Sequence, residues 1–337
     1  MRNFLLIIGL LFTFCERAIE RRDRFFLLGN KDLENENYEK AIQLYDEALK
    51  KDPNYVPALN NRGVAKSEMD HKYEAILDFN QALANKPDYL EALFNRAYAY
   101  EAIGKYEKAL DDVSSIKEIA GDSAFVFFYE GLVLTKLRAY DKALSSFRKS
   151  DEIEPLNSET LVNLAAVHYF KEDLSKAESI VGKVLKLEPN NPNAFNLLSL
   201  IALKKNEFGK ALAEINKALN EVPSEPYFLN NRGYIYIQMD SLEKALEDIN
   251  RSIVLNPKNG WAYRNKGICF LYNGAYNQAL ELFERAEKSR DFIDELFYFF
   301  GLVYDKLGKA DEACISWGKG IQNNENRSKI IFSQKCN

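Results

Sequence analysis

The sequence predicts an all-α solenoid of nine helix-turn-helix repeats, about 18 helices, on three observations. Stepping by 34 residues from Ala41 lands on Ala75, Ala109, Ala143, Ala177, Ala211, Ala245, Ala279 and Ala313, every landing point an alanine. Twelve residues before each stands another small side chain: Gly29, Gly63, Ala97, Gly131, Ala165, Ser199, Gly233, Gly267 and Gly301. Twelve residues after it, in six of the nine, stands Pro53, Pro87, Pro155, Pro189, Pro223 or Pro257.

Counting the alanine as position 20 divides the chain into units 22–55, 56–89, 90–123, 124–157, 158–191, 192–225, 226–259, 260–293 and 294–327, with no insertion between them. Helices pack at roughly 8 to 10 Å only across small side chains, which accounts for positions 8 and 20. A leucine at Ala245 should overpack that contact. Proline at position 32 lacks an N–H and disfavours helix in the residue before it, so it closes the second helix of a unit. Each hairpin then buries its remaining apolar face against the next.

In chain order, residues 1–15 come first as an export-type signal segment. The apolar run from Phe4 to Phe14 is too short to cross a bilayer but suits the core of such a signal. Cys15 at its end resembles the lipidation site of a bacterial lipoprotein, although Phe14 stands where that pattern usually has a small residue. The first unit opens in charged residues and lacks the Asn-Arg-Gly of Asn61 to Gly63, as terminal repeats often depart from the pattern. The third lacks the closing proline and leaves Gly121 as its stop signal. In the fourth, Phe125 to Tyr129 are five large apolar or aromatic residues in a row, more than one helix stripe can bury. The tail 328–337 carries Ile330, Ile331 and Phe332, expected to fold as a partial cap over Trp317 and Ile321.

A 34-residue period of paired short helices, with small residues at positions 8 and 20 and large apolar ones at position 4 (Phe25, Leu59, Leu93, Phe127, Leu161, Phe195, Leu229, Tyr263, Phe297), resembles the tetratricopeptide repeat (TPR). The resemblance covers 22–327. It implies a right-handed superhelix with a concave groove lined by positions 2, 5, 6 and 9. Position 6 carries Asn61, Asn95, Asn163, Asn231 and Asn265, a recurrence that helix propensity does not explain. In peptide-binding members an asparagine ladder at this position holds a ligand's backbone, since an amide both donates and accepts. The other reading is that these amides tie neighbouring helices together. Around the ladder, Phe125 and Phe128 lie mid-chain, with Tyr227, Tyr234, Trp261 and Arg264 toward the C-terminus, and such aromatics and arginines are the usual anchors of recognition surfaces. The cations of a carboxylate clamp are missing from the first three units, where Phe26, Asn30, Asn61, Glu91 and Asn95 stand.

Arginine occupies position 7 in three units, Arg62, Arg96 and Arg232, and the same three carry Asp78, Asp112 and Asp248 at position 23. These are expected to pair between the two helices of each unit.

Nothing in the sequence suggests catalysis. There is no phosphate-cradling glycine loop, nucleophile elbow or HExxH helix. His71 and His168 lack neighbours at metal-ligand spacing, so no metal or cofactor is expected. A formal charge of −5 without a long basic run gives no reason to expect nucleic acid. The cysteines contain no CxxC, and pairing among Cys269, Cys314 and Cys336 stays open, as does oligomeric state. The sequence therefore reads as an exported scaffold or adaptor of the cell envelope. It is membrane-associated through its N-terminus and holds an extended peptide or protein segment in its groove. The alternatives are a scaffold tethered on the cytoplasmic side and the binding partner of a separate catalytic chain.

Overall fold

The computed structural model describes residues 19–289 and 292–336. The leader with Cys15 lies outside them. Every regular element among the described residues is a helix. The chain separates into two compact units, 1–155 and 156–337, the boundary falling between the fourth and fifth repeats.

The first unit contains helices α1 (19–34), α2 (Tyr38–Leu49), α3 (Val56–Glu68), α4 (Lys72–Asn85), α5 (Leu90–Ala102), α6 (Tyr106–Ala120), α7 (Ala124–Lys136) and α8 (Tyr140–Ile153). The second contains α9 (Ser158–Phe170), α10 (Leu174–Leu187), α11 (Pro192–Lys204), α12 (Phe208–Glu221), α13 (Pro226–Gln238), α14 (Leu242–Leu255), α15 (Gly260–Tyr272), α16 (Tyr276–Glu287), α17 (Leu296–Lys306), α18 (Ala310–Gln322) and α19 (Asn326–Lys335). Odd-numbered helices through α17 are the first helices of the nine repeats and even-numbered ones the second. Gly121, at φ +77°, ends α6 as its place in the sequence suggests.

The turn inside each hairpin repeats as faithfully as the helices. Its position 15 is left-handed throughout, in Glu36, Asp70, Gly104, Arg138, Glu172, Asn206, Asp240, Gly274 and Gly308. A residue with a Cβ is held there at a cost of about 1 to 2 kcal/mol. The same turn recurs around six such residues, so packing of the two helices outweighs that cost.

All nine alanines at position 20 are at most 1% exposed. Position 8 is small for a more specific reason than helix approach alone. A methyl group on Gly63 would stand 2.5 Å from Phe79 Cε1, and one on Gly131 2.7 Å from Phe147 Cε1. In both pairs the large partner is at position 24, and Tyr45, Phe283 and Trp317 press on Gly29, Gly267 and Gly301 in the same way. Where position 24 shrinks to Val113 or Val181, position 8 grows to Ala97 or Ala165. The two positions share one volume, as a close-packed interior requires.

The three expected Arg-Asp pairs form, and each is bidentate. Arg62 donates through Nε and Nη2 to Asp78 at 2.9 and 2.6 Å. Arg96 does the same to Asp112 at 3.0 and 2.5 Å, and Arg232 to Asp248 at 2.7 and 2.8 Å. The sequence did not reveal the third arm. Nη1 of each arginine reaches back to position 25 of the preceding repeat, to Asp46, Asn80 and Asn216 respectively. Each guanidinium therefore holds three helices. Burial raises the Asp112 carboxyl above its ordinary value even though Arg96 pulls it down.

The C-terminal tail departs from expectation. It forms a further helix, α19, that begins at Asn326 and so takes up the end of the ninth repeat. Trp317 is buried, but Ile321 stays 36% exposed and Ile330 57% exposed. α19 runs back along α18, with Ser328 against Gly320, Phe332 by Gly318 and Cys336 at Cys314, and leaves the Ile321 side chain outside that contact. Polar groups do much of the anchoring: Glu325, buried at position 32 where six of the repeats have proline, accepts the Phe297 and Tyr298 N–H groups at 3.2 and 2.9 Å. Cys314 and Cys336 form a disulfide with Cα atoms 5.6 Å apart, and Cys269 is a buried free thiol.

Candidate functional site

The first helices carry the residues singled out above, and the asparagines show what most of them do. Asn95 Nδ2 donates to Asn60 Oδ1 at 2.9 Å, Asn231 to Asn196 at 2.8 Å and Asn265 to Asn230 at 2.8 Å. Each bond links position 6 of one repeat to position 5 of the repeat before it. Asn61 donates instead to Asn30, which also accepts from the Tyr45 hydroxyl. Asn163 follows a repeat with Phe128 at position 5 and donates only to Glu159 O in its own helix. The ladder is thus a set of clasps between repeats. The expectation that all five amides face a ligand needs correction: Asn265 is 1% exposed, with its oxygen taken by Arg264. The acceptors Asn60, Asn196 and Asn230 were missed in the sequence, though the doublets Asn60-Asn61 and Asn230-Asn231 were the available signal.

Arg264 likewise is a buried strut rather than an open contact, at 5% exposure. Its Nη1 donates to the Asp294 backbone oxygen at 2.7 Å. Its guanidinium carbon lies 5.0 Å from the Tyr234 ring centroid and 4.9 Å from that of Trp261. One fixed planar cation therefore positions two half-buried aromatic rings.

Around this strut the second unit gathers phenols from several repeats. Burial pushes the Tyr169 phenol up to about 12, with Asp294 and Tyr234 adding to the rise. Tyr169 belongs to the fifth repeat and Asp294 to the ninth. The two groups lie within electrostatic reach of each other although four repeats separate them in the chain. Burial also raises Tyr234 and Tyr272, both of which feel Arg327 and Glu295. Arg327 bonds Glu295 at 3.0 Å and the Tyr298 hydroxyl at 3.0 Å, and lies 3.9 Å from the Tyr298 ring centroid. The wall thus holds its charges in internal contacts and offers ring faces. Tyr272 is 53% exposed, and Tyr227, on the same first-helix face, is 42% exposed.

In the first unit, Phe125 is 51% exposed with its ring 5.5 Å from Phe94, while Phe128 is half-buried against Phe147. His168 is buried with Nδ1 3.6 Å from Asp173. Among the described residues no group of His, Cys, Asp or Glu is arranged to hold a metal, and no helix is long and apolar enough to cross a membrane.

Models of the tetratricopeptide repeat match residues 79–111, 134–201 and 226–259, and a TPR repeat model matches 29–70. No curated protein matches the chain. Among solved structures it is similar to a tetratricopeptide repeat protein from Parabacteroides merdae ATCC 43184, with 18% identity over 74% of this chain and 99% of that one and a TM-score of 0.70. It is also similar to the APC/C hetero-tetramer Cut9-Hcn1, with 16% identity over 93% of this chain and 69% of that one and a TM-score of 0.59. At such identities the likeness shows the fold alone, an all-α superhelical repeat array.

Proposed function

Because this chain belongs to the tetratricopeptide repeat family, we propose that it is a non-catalytic scaffold that holds an extended peptide segment of a partner protein on the first-helix wall of its second unit. Repeats of this family serve protein-protein interaction, which is the general part of the reading. One observation supports the specific part. Trp261 and Tyr234 are held in place by Arg264, while Tyr227 and Tyr272 are partly exposed to solvent on the same run of first helices. Rigid, partly exposed aromatics on a concave surface are how a protein grips a chain at low entropic cost. In the first unit, Phe125 and Phe128 are the corresponding contacts; in the second, Asn163 keeps the one position-6 amide that is not clasped to another repeat.

The test is capture of a partner by the chain lacking residues 1–15, compared with Tyr227→Ala and Trp261→Ala variants. The reading expects capture to fall about tenfold with the melting temperature unchanged. Equal capture by all three proteins would place the partner elsewhere.

The same proposal places the protein in the cell envelope, anchored through Cys15. Its support is the apolar segment from Phe4 to Phe14, with Cys15 after it, together with the Cys314-Cys336 disulfide, a bond that persists in oxidising compartments. Labelled palmitate should enter the wild-type chain and not Cys15→Ser. A Cys15→Ser protein that stays membrane-bound would favour a tether on the cytoplasmic side.

A further inference from the structure

The first helices of the first unit carry unpaired acids among their rings. In α5, Glu91, Phe94, Tyr98 and Glu101 follow one another at spacings of three, four and three, so they share one helix face. α7 lies beside it, with the Phe125 ring 5.5 Å from Phe94 and the Tyr129 ring 4.5 Å from Tyr98. Phe125 is 51% exposed and Tyr98 44%. Neither Glu91 nor Glu101 is ion-paired among the described residues. At positions 2, 5, 6, 9, 12 and 13, the same helix face, the first three repeats add Asp23, Glu34 and Glu68 and carry no Lys or Arg. The fourth adds one cation, Lys136.

A second observation falls at the same place. The Tyr129 hydroxyl is buried with no hydrogen-bond partner, a state that native interiors seldom tolerate. Burial raises this phenol well above its ordinary value, and the nearby Glu101 charge adds to the rise. The hydroxyl therefore stays protonated beside a carboxylate that it does not bond, and its oxygen is still able to accept.

Any occupant that covers these rings also takes Glu91 and Glu101 out of water, and a buried charge without a partner is strongly unfavourable. An anionic segment would be repelled, and a neutral one would leave both charges stranded. A cation offsets the loss and gains the ring faces as well. Lysine and arginine bring several N–H donors and no acceptor, which suits the Glu101 carboxylate and the Tyr129 oxygen together. We propose that the first unit holds a lysine- or arginine-bearing segment of a partner protein, with the cation set between Glu101 and the Tyr98 and Phe125 rings. This rests on the peptide-scaffold reading and names the chemistry that the first unit selects.

The experiment is fluorescence anisotropy of the full chain with fluorescein-labelled decamers of alternating Lys-Ala, Ser-Ala and Glu-Ala. Lys-Ala should bind about tenfold tighter than Ser-Ala, and Glu-Ala weakest of the three. Glu101→Gln should weaken Lys-Ala about fivefold and Tyr98→Ala about tenfold. Glu152→Gln removes the same charge from an exposed place on α8 and should stay within about twofold of wild type. Tyr129→Phe keeps the ring and removes the hydroxyl, and should weaken Lys-Ala about threefold without lowering the melting temperature. Equal weakening by Glu101→Gln and Glu152→Gln would reduce the attraction to overall charge and overturn the proposal. Equal binding of Lys-Ala and Ser-Ala would overturn the cation preference and leave the peptide scaffold standing. Binding of no peptide would overturn both readings.

Discussion

Arg232 grips both carboxylate oxygens of Asp248, at 2.7 and 2.8 Å, and turns its remaining nitrogen to Asn216 of the preceding repeat at 3.0 Å. The side chain of Asp248 is 9% exposed and that of Arg232 24%. Loss of one partner strands the other's charge, at about 3 kcal/mol for pairs this enclosed. Asp248→Ala should therefore lower stability by roughly that much, whereas Arg232→Met with Asp248→Leu should recover at least half of it, since neither charge is then left behind. Chemical denaturation of the three proteins checks this. Equal losses in both variants would mean that the pair contributes beyond its own desolvation.

A second prediction separates clasping asparagines from the free one. Asn265→Ala leaves Asn230 Oδ1 and the Arg264 donors without their partner in a buried site, at about 1 to 3 kcal/mol. Asn163→Ala removes only a bond to its own helix at a half-exposed position and should stay within about 0.5 kcal/mol. Melting temperatures of the two variants decide it, and similar values would undo the assignment of the ladder to inter-repeat clasps.

The shared volume of positions 8 and 24 gives a third. Gly63→Ala drives a methyl group into Phe79 and should cost about 1 to 3 kcal/mol. Adding Phe79→Val copies the pairing of Ala97 with Val113 in the next repeat and should regain part of that loss. Gly182→Ala, with nothing within 4 Å of the new methyl in the middle of α10, should instead stabilise by about 0.5 to 1 kcal/mol. A denaturation midpoint for each variant suffices. A double variant no better than Gly63→Ala alone would break the pairing.

The parts of the fold that repeat were legible in the sequence because nine copies of one packing problem were laid out side by side. The position-20 alanines and the three Arg-Asp pairs stand out by comparison of one repeat with another. What could not be read is set by the offset between neighbouring repeats. Asn265 meets Asn230 rather than a ligand because adjacent first helices sit about one residue out of register, which no single hairpin reveals. The third arm of Arg62, Arg96 and Arg232 was hidden for the same reason. The end of the chain was misjudged on apolar content: Ile330 looked like cap material, yet Glu325 and the Cys314-Cys336 bond do the holding while Ile330 faces solvent. At the candidate site, Tyr227 and Trp261 were legible from register, but the phenols of Tyr169 and Tyr272 come from position 12 and 13 and were not sought.

The arginine arms and asparagine clasps have a direction. In each, the donor belongs to the later repeat and the acceptor to the earlier one: Arg62 to Asp46, Arg96 to Asn80, Asn95 to Asn60, Arg232 to Asn216, Asn265 to Asn230. Within each compact unit, trimming from the C-terminal side uncovers oxygens that water readily satisfies. Trimming from the N-terminal side takes the acceptor from an arginine Nη1 whose other two arms stay on their own aspartate. Growth on the ribosome also exposes the oxygens first, so the second, third, seventh and eighth hairpins find their anchors already waiting behind them.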